Sequence, residues 1–219
     1  SKFSKVSIFS DLNNLTDISM NAQFATLLGY THSEVKEYFS DWIENLASAL
    51  SISKEEAFAE IIRWYDGYRF EENAEPVINP VSLGLCLKDC KFKTYWSSTA
   101  VPTFLVDLLK QRPINLQLIG IDESILDAYE PTAINPITLL YQTGYLTITG
   151  FRQRGTQRSY SLDFPNMEVR NSFNTSLARG YINIHETSLS TMQTKCIDAL
   201  YDDDLETFFN TFKVFFANI

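Results

Sequence analysis

Histidine and cysteine are scarce in these 219 residues: His32 and His185, then Cys86, Cys90 and Cys196. Two histidines with no cysteine pair at ligand spacing do not make a zinc site. They are also too few to build a Ser/His/Asp or Cys/His set. An odd number of cysteines gives no disulfide framework and reads as free thiols of a cytosolic protein. Cys86 and Cys90 lie four apart, on one face of a predicted helix. No apolar run approaches the length of a membrane span. Residues 1–20 lack the charged start and apolar run of a signal peptide. Low-complexity segments are absent. Basic charge is in deficit: 18 Lys and Arg stand against 27 Asp and Glu, a net charge of −9. That balance excludes a surface that grips nucleic acid all over and leaves room only for a local basic patch.

What the chain does hold is apolar bulk, 45% hydrophobic and 14% aromatic. This suffices for one large or two small domains with a real core. The most legible stretch runs from Asn135 to Leu162. Asn135 is a good N-cap, because its side chain can accept an orphan helical N–H. Pro136 follows at the first helical position, where no N–H is needed. Ile137, Leu139 and Leu140 are apolar, and Gly144 stops the helix. From Tyr145 the period changes to two, Leu146 and Ile148 alternating with Thr147 and Thr149. Gly155 marks a turn, and Tyr160 and Leu162 resume the apolar face. A helix feeding a hairpin predicts a winged-helix-like module. Its wing carries Arg152, Arg154 and Arg158 with no acid among them, a candidate contact to nucleic-acid backbone or phosphate. The acidic total favours the plainer alternative of solvating charge at a hairpin tip.

Along the rest of the chain, Val6, Ile8 and Phe9 suggest a strand with no lead-in, as in a piece of a longer protein. Thr31-His-Ser-Glu34 and Ser53-Lys-Glu-Glu56 are capping boxes. Val35, Tyr38, Phe39, Trp42, Leu46 and Ala49 form one stripe at helical spacing. Phe58, Ile61, Ile62 and Tyr65 continue the next helix to Gly67. Two antiparallel helices follow from the short link. Pro76-Val-Ile78 pairs with Tyr68–Phe70 in a small hairpin, and Asn79-Pro opens another helix with the solution used at Asn135-Pro. Pro102–Gln111 is a short helix, and residues 113–134 are mixed. Pro165 and Asn166 start a long helix bearing Val169, Phe173, Leu177 and Tyr181. Leu189, Met192, Cys196 and Leu200 mark another. Asp202–Asp204 give the last helix an acidic start, favourable against its dipole. Its dense stripe, from Leu205 through Phe208, Phe209, Phe212, Phe215 and Phe216 to Ile219, should meet a partner surface.

Trp64–Phe70 combines aromatics with Asp66 and Arg69. It is either a ligand platform or, the favoured reading, a helix end whose aromatics pack inward around a left-handed Gly67. Asp66 and Arg69 are expected to form a local ion pair. Glu55/Glu56, Glu71/Glu72 and Asp202–Asp204 sit at helix starts or in a polar loop, where capping and solvation explain them. His32, inside a capping box, is expected in solvent, and His185 lies in an inter-helix link.

Six segments occur in a familiar order: Ser1–Ser10, Trp64-Tyr-Asp-Gly-Tyr-Arg-Phe70, Asn79-Pro-Val-Ser-Leu83, Lys93-Thr-Tyr-Trp96, Thr143-Gly-Tyr-Leu-Thr147 and Phe164-Pro-Asn-Met-Glu-Val-Arg170. Together they resemble the bacterial AAA-ATPase-like proteins that carry a C-terminal PD-(D/E)XK nuclease-like domain. The likeness covers nearly the whole chain. No single motif is diagnostic, and the specificity comes from six in register. The P-loop pattern G-x-x-x-x-G-K-[ST] does not occur here, nor does the nuclease carboxylate-and-lysine core.

The resemblance therefore implies the middle segment of such a protein, mainly α with small β-hairpins. Residues 1–20 would be the last strand of the ATPase core, 21–112 a helical lid, 113–183 the winged-helix-like module and 184–219 helices leading to the nuclease-like domain. Lys2, Ser4 and Lys5 would then reach nucleotide or its bound water. The wing arginines could touch nucleotide or a neighbouring subunit. ATP and magnesium would belong to the parent protein, with no cofactor held by this segment and no catalysis of its own. Its partners would be the parent's ATPase core and nuclease-like domain, with self-association through the last helix. Two rival expectations are a helical protein-interaction module and a DNA-binding winged helix.

Overall fold

The computed structural model describes residues 18–96, 103–112, 114, 118–127, 135–181 and 186–216. The chain is mainly helical with one small antiparallel sheet. Helix α1 (His32–Tyr38) starts on the Thr31 capping box, in which Thr31 N donates to Glu34 Oε2 at 2.8 Å and Glu34 N returns to Thr31 Oγ1 at 3.3 Å. Helix α2 (Ser40–Leu50) follows after a break at Phe39, whose φ of −111° and ψ of 14° leave the helical region. The single stripe expected over 35–49 is therefore two helices. The break resets the helical phase, so Val35, Ile43, Leu46 and Ala47 face the core while Tyr38 and Trp42 turn outward. Helix α3 (Lys54–Tyr65) begins on the Ser53–Glu56 box and packs on α2. Tyr68 bridges Val77, as the expected short hairpin requires, and Tyr30 bridges Ile78 in a separate pairing that the sequence pattern does not predict. Helix α4 (Pro80–Asp89) is capped by Asn79, which accepts from Val81 N at 3.0 Å and Ser82 N at 3.2 Å. These helices enclose one hydrophobic core around Ile61, Tyr65, Leu83 and Cys86.

A second core lies in the following residues. Helix α5 (Thr103–Gln111) leads to strand β1 (Leu118–Asp122) and helix α6 (Glu123–Asp127), which fill much of the stretch that has no clear pattern in the sequence. Helix α7 (Pro136–Gln142) is capped by Asn135, and Gly144 follows its end with φ of +82°. Strands β2 (Thr147–Arg154) and β3 (Gln157–Asp163) turn at Gly155, φ +60°. The helix, glycine stop, strand, turn and strand thus fall where the sequence pattern predicts them. Strand β3 is central, with sheet order β1-β3-β2. Ile121 and Phe151 both lie opposite Tyr160, and β2 carries a bulge between Ile148 and Gly150. Helix α8 (Met167–Tyr181) packs on α5 and also on α3, so it touches both cores. Its Phe173 is fully buried, worth about 2–3 kcal/mol of apolar transfer.

Helices α9 (Glu186–Tyr201) and α10 (Leu205–Phe216) pack chiefly on each other. Among the described residues no helix is long and apolar enough to cross a membrane.

Candidate functional site

Five of the six segments in the resemblance come together at one seam between the two cores. The turn after α3 lies against the segment before α8. At Gly67 (φ +95°) a Cβ would stand 1.9 Å from the Pro165 carbonyl oxygen, so a side chain cannot be placed there. Asn166 Nδ2 donates to the Asp66 carbonyl at 2.8 Å, while its Oδ1 accepts Val169 N at 3.0 Å and caps α8. Arg69 N donates to Thr147 Oγ1 at 2.7 Å, and that hydroxyl donates to the Arg69 carbonyl at 3.2 Å. Trp96 meets Tyr145 edge-on, ring centroids 4.7 Å apart.

Glu168, in the first turn of α8, closes the seam. Its residue is 0% exposed. Oε1 accepts the backbone N–H of Tyr95 at 2.6 Å and of Trp96 at 2.8 Å. Burial raises its carboxyl above the ordinary range, against the opposing pull of those N–H groups and the Ser82 hydroxyl. That hydroxyl faces the carboxylate closely enough to favour its charged form, yet neither Ser82 Oγ nor Glu168 Oε2 completes a hydrogen bond. The surrounding Tyr65, Tyr68, Cys86 and Tyr95 are all held protonated, first by burial, with the Glu168 charge adding to it. The Cys86 thiol is pushed up to about 12, which makes it inert. This arrangement fixes peptide N–H groups and joins elements.

The Trp64–Phe70 turn packs against the segment before α8, while its Tyr68, Arg69 and Phe70 also line a groove. The expected Asp66–Arg69 ion pair does not form. Asp66 is buried and turns back to α1, where His32 Nε2 sits 2.7 Å from its Oδ2. Arg69 is pinned by its backbone on the other side of Gly67, facing Thr147. His32 is correspondingly half-buried and paired, where solvent is expected for it. Lys2, Ser4, Lys5 and His185 lie outside the described residues.

The three wing arginines separate. Arg152 and Arg154 are exposed on β2. Arg158 on β3 is bound inward: its guanidinium pairs with Glu72, approaches Glu123 Oε1 at 3.5 Å and lies over Phe151 at 5.2 Å. Tyr160 OH donates to Glu72 Oε2 at 3.3 Å. This second contact ties the hairpin to the loop at 71–75. Glu72, expected to be solvated in a polar loop, is instead paired with Arg158 and Tyr160, and Glu168 carries no sequence signal of its own, because a glutamate in a first helical turn reads as dipole charge.

No protein-family model and no solved structure matches the chain. It is 37% identical, over 223 aligned residues and its full length, to a curated protein of Azotobacter chroococcum mcd 1 described as "Uncharacterized protein in vnfD 5'region". The chain spans 40% of the length of that relative.

Proposed function

We propose that the chain is a non-catalytic, nucleotide-responsive segment of a cytoplasmic P-loop AAA-like ATPase coupled to a nuclease-like domain, in which it supplies the helical lid and the winged helix. The carrying observation is the seam: segments scattered from Trp64 to Arg170 meet there and join the two cores. The succession α5–β1–α6–α7–β2–β3, with the Gly155 hairpin as wing, supports the winged-helix part of the reading. A relative much longer than this chain is in keeping with a segment of a larger protein. Base reading by α7 is disfavoured, since Pro136–Gln142 contains no Lys or Arg and four of its residues are buried. Arg152 and Arg154 would instead touch phosphate. Calorimetry with ATP and magnesium tests this on the natural protein that contains the chain. Binding that weakens when Lys2, Lys5, Arg152 or Arg154 becomes glutamine is the expected result. No binding by that protein would remove the ATPase reading.

A second reading, an interaction module, is favoured by α10, where Leu205, Phe209, Phe212, Val214 and Phe216 are exposed. Sedimentation of this chain across a concentration series checks it. Self-association abolished by Phe209→Ser with Phe212→Ser is the outcome that reading requires.

A further inference from the structure

A groove of about 490 Å³ lies between residues 18–28, the turn at 68–70 and the end of α7. This is the size of a small-molecule site. Met20, Leu27, Leu28, Tyr141 and Leu146 give it apolar walls. Leu27 and Leu28 are 65% and 68% exposed, a neighbouring pair that the core does not use. Arg69 is the only charged side chain among the described residues that line the groove. Its backbone is held at both N–H and carbonyl by Thr147, so the guanidinium extends from a fixed point. Its Nε is buried and has no hydrogen-bond partner.

The described acids near it in the chain are engaged elsewhere. Asp66 faces His32, Glu71 accepts Asn73 N at 2.8 Å, and Glu72 holds Arg158 and Tyr160. In a protein with a net charge of −9, Arg69 thus stands at the edge of an apolar cavity with no ion pair to an acid among the described residues. A buried donor without an acceptor is unfavourable, and a guanidinium is shaped for two-point contact with a carboxylate, sulfonate or phosphate. We propose that this groove binds a small organic anion, its apolar body against Met20, Leu27, Leu28 and Tyr141 and its charged group on Arg69. The inference stands apart from the lid reading above, because it rests on the groove and Arg69 alone.

The test uses two fluorescent probes of similar shape, anionic anilinonaphthalene sulfonate and neutral phenylnaphthylamine, titrated against the chain. The background is the Phe209→Ser, Phe212→Ser form, which removes apolar surface on α10. The anionic probe should saturate a single site. Arg69→Gln should weaken it by about tenfold or more, the scale of a charge-assisted hydrogen bond, and leave the neutral probe unchanged. Leu28→Glu, at an exposed position of the wall, should weaken both probes and the anion by far the more, since it adds charge repulsion to the lost apolar contact, which keeps the test decisive if Arg69→Gln misfolds. An anionic probe indifferent to both substitutions, or two probes that lose affinity equally, would overturn the proposal.

Discussion

At Gly67 two requirements coincide, a left-handed φ of +95° and no space for a Cβ beside Pro165. Gly67→Ala should destabilise the fold by more than about 2 kcal/mol in urea titration, since left-handed strain and the clash add. Gly155→Asn is the control. Its φ is +60° and nothing lies within 4 Å, so a change within about 0.5 kcal/mol is expected. Glu168 supplies the pH dependence. Its native carboxyl is raised by burial, so the native state holds the proton more tightly than the unfolded chain does. Its contribution is therefore complete below the ordinary carboxylate range and falls as pH rises through the raised native value. Glu168→Gln keeps an acceptor for Tyr95 and Trp96 and does not titrate. As pH rises above the ordinary carboxylate range the wild-type protein should lose stability relative to this variant. Parallel curves for the two proteins would show that Glu168 is not the titrating group.

The hairpin shows how three arginines of one strand pair acquire different roles. Register fixes the difference: Arg158 lies two residues before Tyr160 on central β3, and period two puts both side chains on one face, toward Glu72. Arg152 and Arg154 lie on edge strand β2 and stay in solvent. Arg158→Gln should raise amide exchange along β3 and in the loop at 71–75. Arg152→Gln and Arg154→Gln should leave that exchange unchanged, whatever they do to phosphate binding. The helix caps at Asn79 and Asn135 are an element-scale device of a different kind, made with N–H groups two or three residues along the chain. Alanine at either should cost about 1 kcal/mol in thermal or urea unfolding.

For the molecule as a whole, the seam decides cooperativity. Helix α8 contacts both α3 and α5, and Glu168, Asn166, Thr147 and Arg158 all cross between the cores. Residues 18–181 should therefore unfold in one transition, with near-ultraviolet signals from Trp64 and Trp96 coinciding with helix loss in the far ultraviolet. Glu168→Ala should split them, because the Tyr95 and Trp96 N–H groups lose their shared acceptor while Tyr65 and Leu83 keep their own core. Coincident transitions in that variant would mean that packing alone joins the cores.

The sequence by itself determined the local pieces. Capping boxes at Thr31 and Ser53, Asn-Pro starts at Asn79 and Asn135, and the change of period at Tyr145 all depend on neighbours within a few residues. Such signals survive without tertiary context. The helix break at Phe39 is not among them: no glycine or proline marks it, and only the core's preference for Ile43 over Trp42 shows in the result. Strand β1 gains its identity from pairing with β3, some forty residues away. The partner of Asp66, the inward turn of Arg158, the burial of Glu168 and the isolation of Arg69 were likewise decided by the fold. Each depends on which distant group arrives at the seam, and charge exerts its preference there only after burial has removed water as the competing partner.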